Sequence, residues 1–170
     1  LSLRRQRQMC IRDRRQVVAD YDNATRYNDQ VVDAILARFT DRDAIAVYLS
    51  DHGEEVYDYR DFFCRSHDLP LTPEVCKYQF EIPFMIWMSD TYRRNRPDVA
   101  AQVAGALDRP FSADDLSHLL LDLAGIRCRW YDPARSLIGE RFDTTRPRPL
   151  LMGFEPAGNY ETIIGRDRKQ

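Results

Sequence analysis

The chain has 170 residues, of which 44% are apolar and 31% are charged, and its formal net charge is −2. This balance is typical of a single folded globular domain and excludes a disordered or fibrous protein. No apolar run approaches the roughly 18 residues that are needed to cross a bilayer, so the sequence predicts no membrane span.

The charge is unevenly distributed, because residues 1–16 hold six arginines and one aspartate. This stretch shows neither a helical nor a strand period. Its MCIRDR segment resembles translated sequencing-adapter sequence. We therefore interpret residues 1–16 as an artefactual or foreign basic tail. A basic arm of this kind can also bind nucleic acid, but we expect no nucleic-acid partner.

Two elements are predicted between residues 21 and 50. Apolar residues recur at three- and four-residue intervals from Tyr21 to Phe39, which indicates an amphipathic helix. The continuous apolar run AIAVYLS, residues 44–50, then predicts a buried strand in the centre of a sheet. A helix, a short turn and a buried strand in this order are typical of α/β folds.

A long connection without sustained periodicity runs from Gly53 to Phe80. Connections of this length inside a compact domain are usually functional or disordered, and the aromatic content argues against disorder. Tyr57 and Tyr59 could line a substrate groove, although packing within the loop is the preferred interpretation. Cys64 and Cys76 are close enough in sequence to form a disulfide, but the sequence does not establish one.

Further elements are predicted downstream of this connection. The segment EIPFMIWMS, residues 81–89, predicts a strand. A short helix is expected to begin at Pro97, a position where the missing N–H is tolerated. A last strand is possible over residues 149–154.

The clearest helix lies in the segment SADDLSHLLLDLAGI. Ser112 and Asp115 fit a capping box at its start, and Gly125 is expected to end it. His118 lies within this helix, at a spacing that suits packing or capping. We therefore expect a structural role for His118.

The predicted central strand ends on Asp51 and His52, which are followed by Gly53. In open α/β sheets, ligands bind beyond the carboxyl ends of the strands. Both side chains can reach one ligand only if the chain turns here, and Gly53 supplies the freedom for that turn. Because a carboxylate oxygen and an imidazole nitrogen are good zinc ligands, we predict a zinc site. In the alternative interpretation, Asp51 caps a turn and His52 is hydrogen-bonded, with no metal.

Four segments, in this order, resemble the phosphoethanolamine transferases of the sulfatase and alkaline-phosphatase superfamily. They are the helix YDNATRYNDQVVDAIL, the strand end YLSDHGE, the loop segment RSHDLP and the strand EIPFMIWMS. The later helix LSHLLLDLAGI is also similar to the family. The resemblance extends from about Tyr21 to Ile138.

This resemblance implies an α/β fold, namely an alkaline-phosphatase-like three-layer α/β/α sandwich that is truncated to its C-terminal part. Residues 17–160 would be the C-terminal part of a sulfatase-like catalytic domain. Residues 161–170 would be a flexible tail.

The resemblance also implies roles for individual residues. Asp51 and His52 would be zinc ligands. His67 would match the family's later active-site histidine, near the transferred phosphoryl group or a second metal. The glycine that usually follows this histidine is Asp68 here, so the local geometry is expected to differ. Glu54 would support the ligands from outside the coordination sphere, or be a solvated carboxylate.

The implied reaction transfers phosphoethanolamine from phosphatidylethanolamine to a bacterial envelope glycolipid of the lipopolysaccharide type. The parent protein would lie in the inner membrane with its catalytic domain in the periplasm. Its threonine nucleophile, further metal ligands and membrane helices would lie upstream of this chain, because Thr25 and Thr72 stand in the wrong context. Since a catalytic zinc normally has three protein ligands, the fragment alone is expected to be inactive.

Two alternatives remain open at this point. A sulfatase-like hydrolase or a phosphoglycerol transferase of the same superfamily would share Asp51 and His52. A non-catalytic binding module, in which both residues are structural, is the alternative from a different class.

Overall fold

The computed structural model describes residues 2–67, 70–153 and 155–167. The first element is a long helix, α1 (Ser2–Ala37). It begins well before Tyr21, so the basic stretch is helical although its sequence shows no helical period. Arginine, glutamine, leucine and methionine all have high helix propensity, which needs no amphipathic period. Whether residues 1–16 are foreign to the protein stays a prediction.

Helix α1 contacts the rest of the chain at several points along its length, among them a 2.6 Å hydrogen bond from the Asn28 side-chain amide to the hydroxyl of Tyr48. The guanidinium of Arg14 forms an ion pair with Asp61 and lies 5.4 Å from the ring centroid of Tyr57. The predicted apolar face further along α1 is exposed instead, with Tyr27 68% and Ile35 52% accessible and Val31 exposed between them. Within the described residues, no other element covers this face.

Two strands of the predicted sheet pair directly with each other. Strand β1 (Ile45–Leu49) runs antiparallel to β4 (Phe84–Met88), with Val47 opposite Ile86. Both predicted strands are therefore confirmed. The prediction of a buried central position for β1 was wrong, because its residues are half-buried and β4 is its only partner in the described part of the chain.

The long connection after β1 contains more regular structure than its sequence indicates. A short antiparallel ribbon is formed by β2 (Glu55–Val56) and β3 (Phe63–Cys64). Helix α2 (Pro73–Phe80) follows, and the hydroxyl of Thr72 caps it by accepting a hydrogen bond from the Val75 amide. Proline at the first position of α2 also favours this start.

Three helices build the larger core against the β1–β4 pair. They are α3 (Asp90–Asn95), α4 (Pro97–Ala104) and α5 (Leu116–Leu123), the last preceded by a single 3₁₀ turn (Ala113–Asp115). The start of α4 at Pro97 agrees with the prediction. The buried core residues are Met88, Tyr92, Val99, Ala106, Leu119, Leu123, Leu137 and Ile138.

The two ends of the α5 region differ in how well the sequence predicted them. The capping box was wrong, because the side chain of Ser112 makes no capping bond. The carboxylate of Asp115 pairs instead with Arg135 and Arg146. The predicted end is confirmed: Gly125 has a positive φ of 68°, which glycine adopts without strain.

The C-terminal part of the chain forms a second, smaller core. Strands β5 (Pro149–Met152) and β6 (Glu155–Asn159) are antiparallel, and α6 (Tyr160–Asp167) packs on α2. The strand predicted over 149–154 is confirmed as far as 152, and Phe154 lies outside the described residues. The helix differs from the flexible tail that was expected after residue 160, because Ile163 is buried in this core. Residues 168–170 lie outside the described residues.

The disulfide between Cys64 and Cys76 that the sequence left open is not formed. Both thiols are free, with Cys64 exposed and Cys76 buried. Burial raises the pKa of Cys76 to about 11, with a smaller contribution from the charge of Glu81. Among the described residues, no helix is both long and apolar enough to cross a membrane.

Candidate metal centre

The turn after β1 brings Asp51 and His52 together at the surface. The side chain of Asp51 is 87% accessible and that of His52 is 38% accessible. One carboxylate oxygen of Asp51, Oδ1, accepts a hydrogen bond from the His52 amide at 3.0 Å. The other, Oδ2, lies 3.6 Å from Nε2 of His52. The carboxylate therefore shapes its own turn and still directs a free oxygen towards the imidazole.

A backbone contact determines which nitrogen of His52 is available. Nδ1 lies 2.9 Å from the carbonyl oxygen of Gly53. Because a carbonyl can only accept, Nδ1 carries the proton and donates it to this bond. In the neutral imidazole this leaves the lone pair on Nε2, which is how a neighbouring group fixes the tautomer of a metal-binding histidine.

The separation of the two free atoms fits shared coordination. Ligand atoms of a tetrahedral zinc, at the usual Zn–N and Zn–O distances, lie about 3.3–3.5 Å apart. The 3.6 Å between Oδ2 of Asp51 and Nε2 of His52 is close to this value. These two residues can therefore hold one divalent cation with little movement.

Gly53 is required for a different reason from the one that the sequence suggested. Its φ is not among the positive values, so freedom at the turn does not explain it. A Cβ at this position would overlap the carbonyl oxygen of Tyr78, and the Gly53 amide donates to the carbonyl of Gln79 at 3.1 Å. The turn is thus pressed directly onto the end of α2.

A buried polar network that the sequence did not predict lies immediately behind this turn. Glu55 is 1% accessible and accepts two hydrogen bonds from Arg60, at 2.6 and 2.7 Å. Gln79 donates to Glu55 and, at 3.3 Å, to Ser66, and Arg60 also donates to Ser66. Burial raises the pKa of Glu55, but the bonds from Arg60 and Gln79 outweigh it and hold this pKa below its usual value.

The other predicted site residues are not gathered around the pair. His67 is exposed and does not line the cleft described below, and its neighbour Asp68 lies outside the described residues. Glu54 is half-buried, and after burial its charge is the main cause of the raised pKa of Tyr21. No group of three or more histidine, cysteine, aspartate or glutamate side chains within the described ranges could hold a metal ion.

The structural roles expected for two tyrosines and a histidine agree with their contacts in the structure. Tyr57 stacks on Phe63 and Tyr59 stacks on Tyr78, so both tyrosines pack within their loop. His118 is buried, and its Nδ1 accepts a hydrogen bond from the Asp132 amide at 3.0 Å. This bond gives His118 a structural partner.

Asp51 and His52 lie on the wall of a cleft of about 800 Å³. Apolar side chains of β1 and β4 form part of the wall, together with segments from α4 and β5. Three arginines also line it: Arg65, Arg109 and Arg148. A cleft with two potential metal ligands and three arginine side chains suits an anionic ligand that binds a metal ion, such as a phosphate or sulfate ester.

A family model described as "Sulfatase" matches residues 3–126 of the chain. The match covers most of the chain, and the chain belongs to the sulfatase family. It is 39% identical over 132 residues to the phosphoethanolamine transferase EptC of Escherichia coli O18:K1:H7. It is 36% identical over 132 residues to the phosphoethanolamine transferase CptA of Salmonella typhimurium. Each alignment covers 75% of this chain and 22% of the relative, so the chain spans about a fifth of these relatives' length.

Solved structures extend the comparison to the fold. The chain resembles the C-terminal periplasmic domain of Escherichia coli EptC in complex with Zn, with a TM-score of 0.70 and 34% identity. The match covers 85% of this chain and 40% of that domain. The predicted resemblance to phosphoethanolamine transferases and the alkaline-phosphatase-like fold class are thereby confirmed.

Proposed function

We propose that this chain is the C-terminal part of the catalytic domain of a zinc-dependent phosphoethanolamine transferase. Its acceptor is a bacterial envelope glycolipid of the lipopolysaccharide type, and its donor is phosphatidylethanolamine. The parent protein lies in the inner membrane with this domain in the periplasm. The observation that carries the proposal is the pairing of Asp51 Oδ2 with Nε2 of His52, 3.6 Å apart on the wall of an open cleft.

Asp51 and His52 are the residues of this chain that would hold the zinc. Zinc bound there would neutralise charge on the phosphoryl oxygens and lower the pKa of the attacking hydroxyl. The chain's own contribution is to hold the two ligands in position. His52 is oriented by Gly53, and the turn is fixed by the buried network around Glu55.

His67 and Glu54 have less direct roles in this proposal. His67 would contact the transferred phosphoryl group or a second metal. Its exposure leaves the imidazole available for such a contact. Glu54 would support the ligands from outside the coordination sphere, or remain a solvated carboxylate.

The proposal includes sequence beyond this chain. A threonine nucleophile and at least one further zinc ligand would come from an upstream part of the domain. The exposed apolar face of α1 supports this arrangement, because large exposed apolar patches commonly mark a contact with another part of a protein. The pairing of β1 with one strand among the described residues also supports it. Two ligands alone would give only weak zinc binding.

A zinc titration of the 170-residue chain, followed by calorimetry, tests the metal site. We expect weak one-to-one binding that falls by about tenfold or more in Asp51→Ala and in His52→Ala, since each removes a ligand. Asp29→Ala, which removes an exposed carboxylate on α1, is the matched control and should bind like the unaltered chain. Equal binding by Asp51→Ala would support the non-catalytic interpretation instead.

The reaction itself is tested in a chimaera. This chain would replace the matching stretch of the periplasmic domain in full-length Escherichia coli EptC. We expect transfer of phosphoethanolamine to be retained by the chimaera and lost on Asp51→Ala, with Asp29→Ala unaffected. Hydrolysis of sulfate esters without phosphoethanolamine transfer would favour the sulfatase-like alternative.

A further inference from the structure

Arg65 stands out among the polar groups of the cleft that the metal centre does not use. It lies directly after β3, is half-buried and lines the same cleft as Asp51 and His52. Its Nε atom is buried and has no hydrogen-bond partner, and no ion pair of Arg65 exists within the described residues. Leaving a buried charged donor unpaired is costly, so such a group usually has a partner in the functional state.

The other arginines of the cleft already have partners. Arg109 donates to the carbonyl oxygens of Leu137 and Gly139, at 2.6 and 2.9 Å. Arg148 pairs with Glu161 at 2.5 Å and lies over the ring of Tyr160. Arg65 is therefore the cleft arginine, within the part of the chain that the structure describes, whose donors remain available for a ligand.

The β2–β3 ribbon places Arg65 at the same end as the metal ligands. Glu55 is opposite Cys64 in this antiparallel pair. The chain that enters the ribbon from His52 and Gly53 and the chain that leaves it at Arg65 are thus neighbours at one end. This register puts Arg65 at the end of the ribbon from which the proposed zinc ligands extend, and its side chain lines the same cleft as those ligands.

The backbone on either side of Arg65 is held in place. Cys64 is paired in the ribbon, and Ser66 is buried, where its hydroxyl accepts hydrogen bonds from Arg60 at 2.9 Å and Gln79 at 3.3 Å. The backbone carbonyl of Gln79 also accepts a hydrogen bond from the Gly53 amide. One network therefore fixes both the metal-ligand turn and the base of Arg65, which lowers the entropic cost of binding a ligand between them.

We propose that Arg65 binds a phosphate oxygen of the ligand that occupies this cleft. The planar guanidinium matches the geometry of phosphate oxygens, and a bound anion would supply the partner that Nε lacks. The proposal deepens the proposed function and rests on it for the identity of the substrate. Phosphate binding by Arg65 can nevertheless be measured without zinc and without transfer.

The test is a titration of the 170-residue chain with inorganic phosphate at constant ionic strength, followed by amide NMR shifts. We expect saturable shifts at Arg65, Ser66 and His52. Arg65→Gln should weaken binding by about ten- to hundredfold, because a hydrogen bond to a charged group is lost. Arg65→Lys should bind phosphate with an affinity between those of the unaltered chain and Arg65→Gln, since lysine keeps the charge but lacks the paired N–H donors of the guanidinium.

Arg129→Gln is the matched control, because it removes an arginine that stacks on Trp130 and does not line the cleft. It should bind phosphate like the unaltered chain. Two further probes separate the possible sources of the phosphate. Glycerophosphoethanolamine carries the diester of a lipid donor, and glucose 1-phosphate carries the monoester of a glycolipid acceptor. The probe whose affinity falls most in Arg65→Gln identifies the source.

Three outcomes would overturn the proposal. They are an absence of saturable phosphate binding, equal binding by Arg65→Gln, and an equal loss in Arg129→Gln. If Arg65→Gln does not fold, Arg65→Lys and the shift pattern of the unaltered chain decide the question. A normal zinc titration with no phosphate binding would reject the role of Arg65 and leave the proposed function standing. Phosphate binding without zinc binding would support the role of Arg65 and reject the proposed zinc site.

Discussion

At the scale of single residues, the turn that carries the proposed zinc ligands Asp51 and His52 depends on the absence of a side chain at Gly53. The turn packs against the backbone carbonyl groups of Tyr78 and Gln79 at the end of α2, and the Gly53 amide donates a hydrogen bond to that of Gln79. No larger residue fits there without moving α2. The position of Asp51 and His52 is therefore coupled to a helix that follows them by more than twenty residues.

Gly53→Ala is expected to destabilise the chain by about 1–3 kcal/mol, the usual cost of overpacking a well-packed site. Its Cβ would overlap the Tyr78 carbonyl, and the turn would have to move away from α2. Urea unfolding at pH 7 measures the change in the free energy of unfolding. Gly165→Ala in α6 is the control, because a Cβ there has nothing within 4 Å. A loss of stability in the control as large as in Gly53→Ala would contradict the argument.

At the scale of elements, Ser89 joins the β1–β4 pair to α3. Its hydroxyl accepts from the Tyr92 amide at 3.0 Å, which caps α3, and donates to the carbonyl of Arg42 at 2.6 Å. Its own amide donates to the carbonyl of Ala44. One small side chain thus fixes both the beginning of β1 and the beginning of a core helix.

Ser89→Ala should lower the free energy of unfolding by about 1–2 kcal/mol, as expected for loss of a helix cap. Ser112→Ala is a matched control before α5, since the Ser112 hydroxyl makes no capping bond. It should change stability by less than about 0.5 kcal/mol. Chemical denaturation of both variants under one condition provides the comparison. Equal losses would mean that the capping difference between the two helices is not real.

At the scale of the whole molecule, the network around Glu55 links three parts of the chain. It connects the β2–β3 ribbon to α2 and lies directly behind the turn that carries Asp51 and His52. The pKa of Glu55 is lowered in the folded chain from its ordinary value of 4.5. Its contribution to stability is therefore fully present above about pH 4.5, and is lost as the pH falls through the lowered folded pKa.

Glu55→Gln is expected to lower the free energy of unfolding at pH 7. Between about pH 5 and pH 3 the variant should lose less stability than the unaltered chain, since the titrating carboxylate is removed. Part of the acid sensitivity should persist, because the pKa values of Glu74 and Glu161 are also lowered. Urea unfolding at several pH values in this range measures both effects. An unaltered pH profile in Glu55→Gln would show that this carboxylate is not the titrating group.

Much of the fold could be predicted because its signals are local. The strands ending at Leu49 and Met88 and the helix starting at Pro97 depend on apolar runs and on proline chemistry. The capping box at Ser112 failed because Asp115 has two arginine partners from a later loop. The helix after residue 160 was missed because Ile163 packs on α2, a contact that no local pattern contains.

Sequence by itself determined that a carboxylate and an imidazole stand side by side at the end of a strand, because adjacency along the chain is covalent. It also indicated the family, since the motif and its flanking elements occur in order. Only the tertiary structure decided which nitrogen of His52 is free and why position 53 must be glycine. It also decided that Glu55 rather than Glu54 is buried, and that Arg65 is the arginine that remains available in the cleft. Each of these depends on contacts between residues that are distant in sequence, and those contacts exist only once the chain has folded.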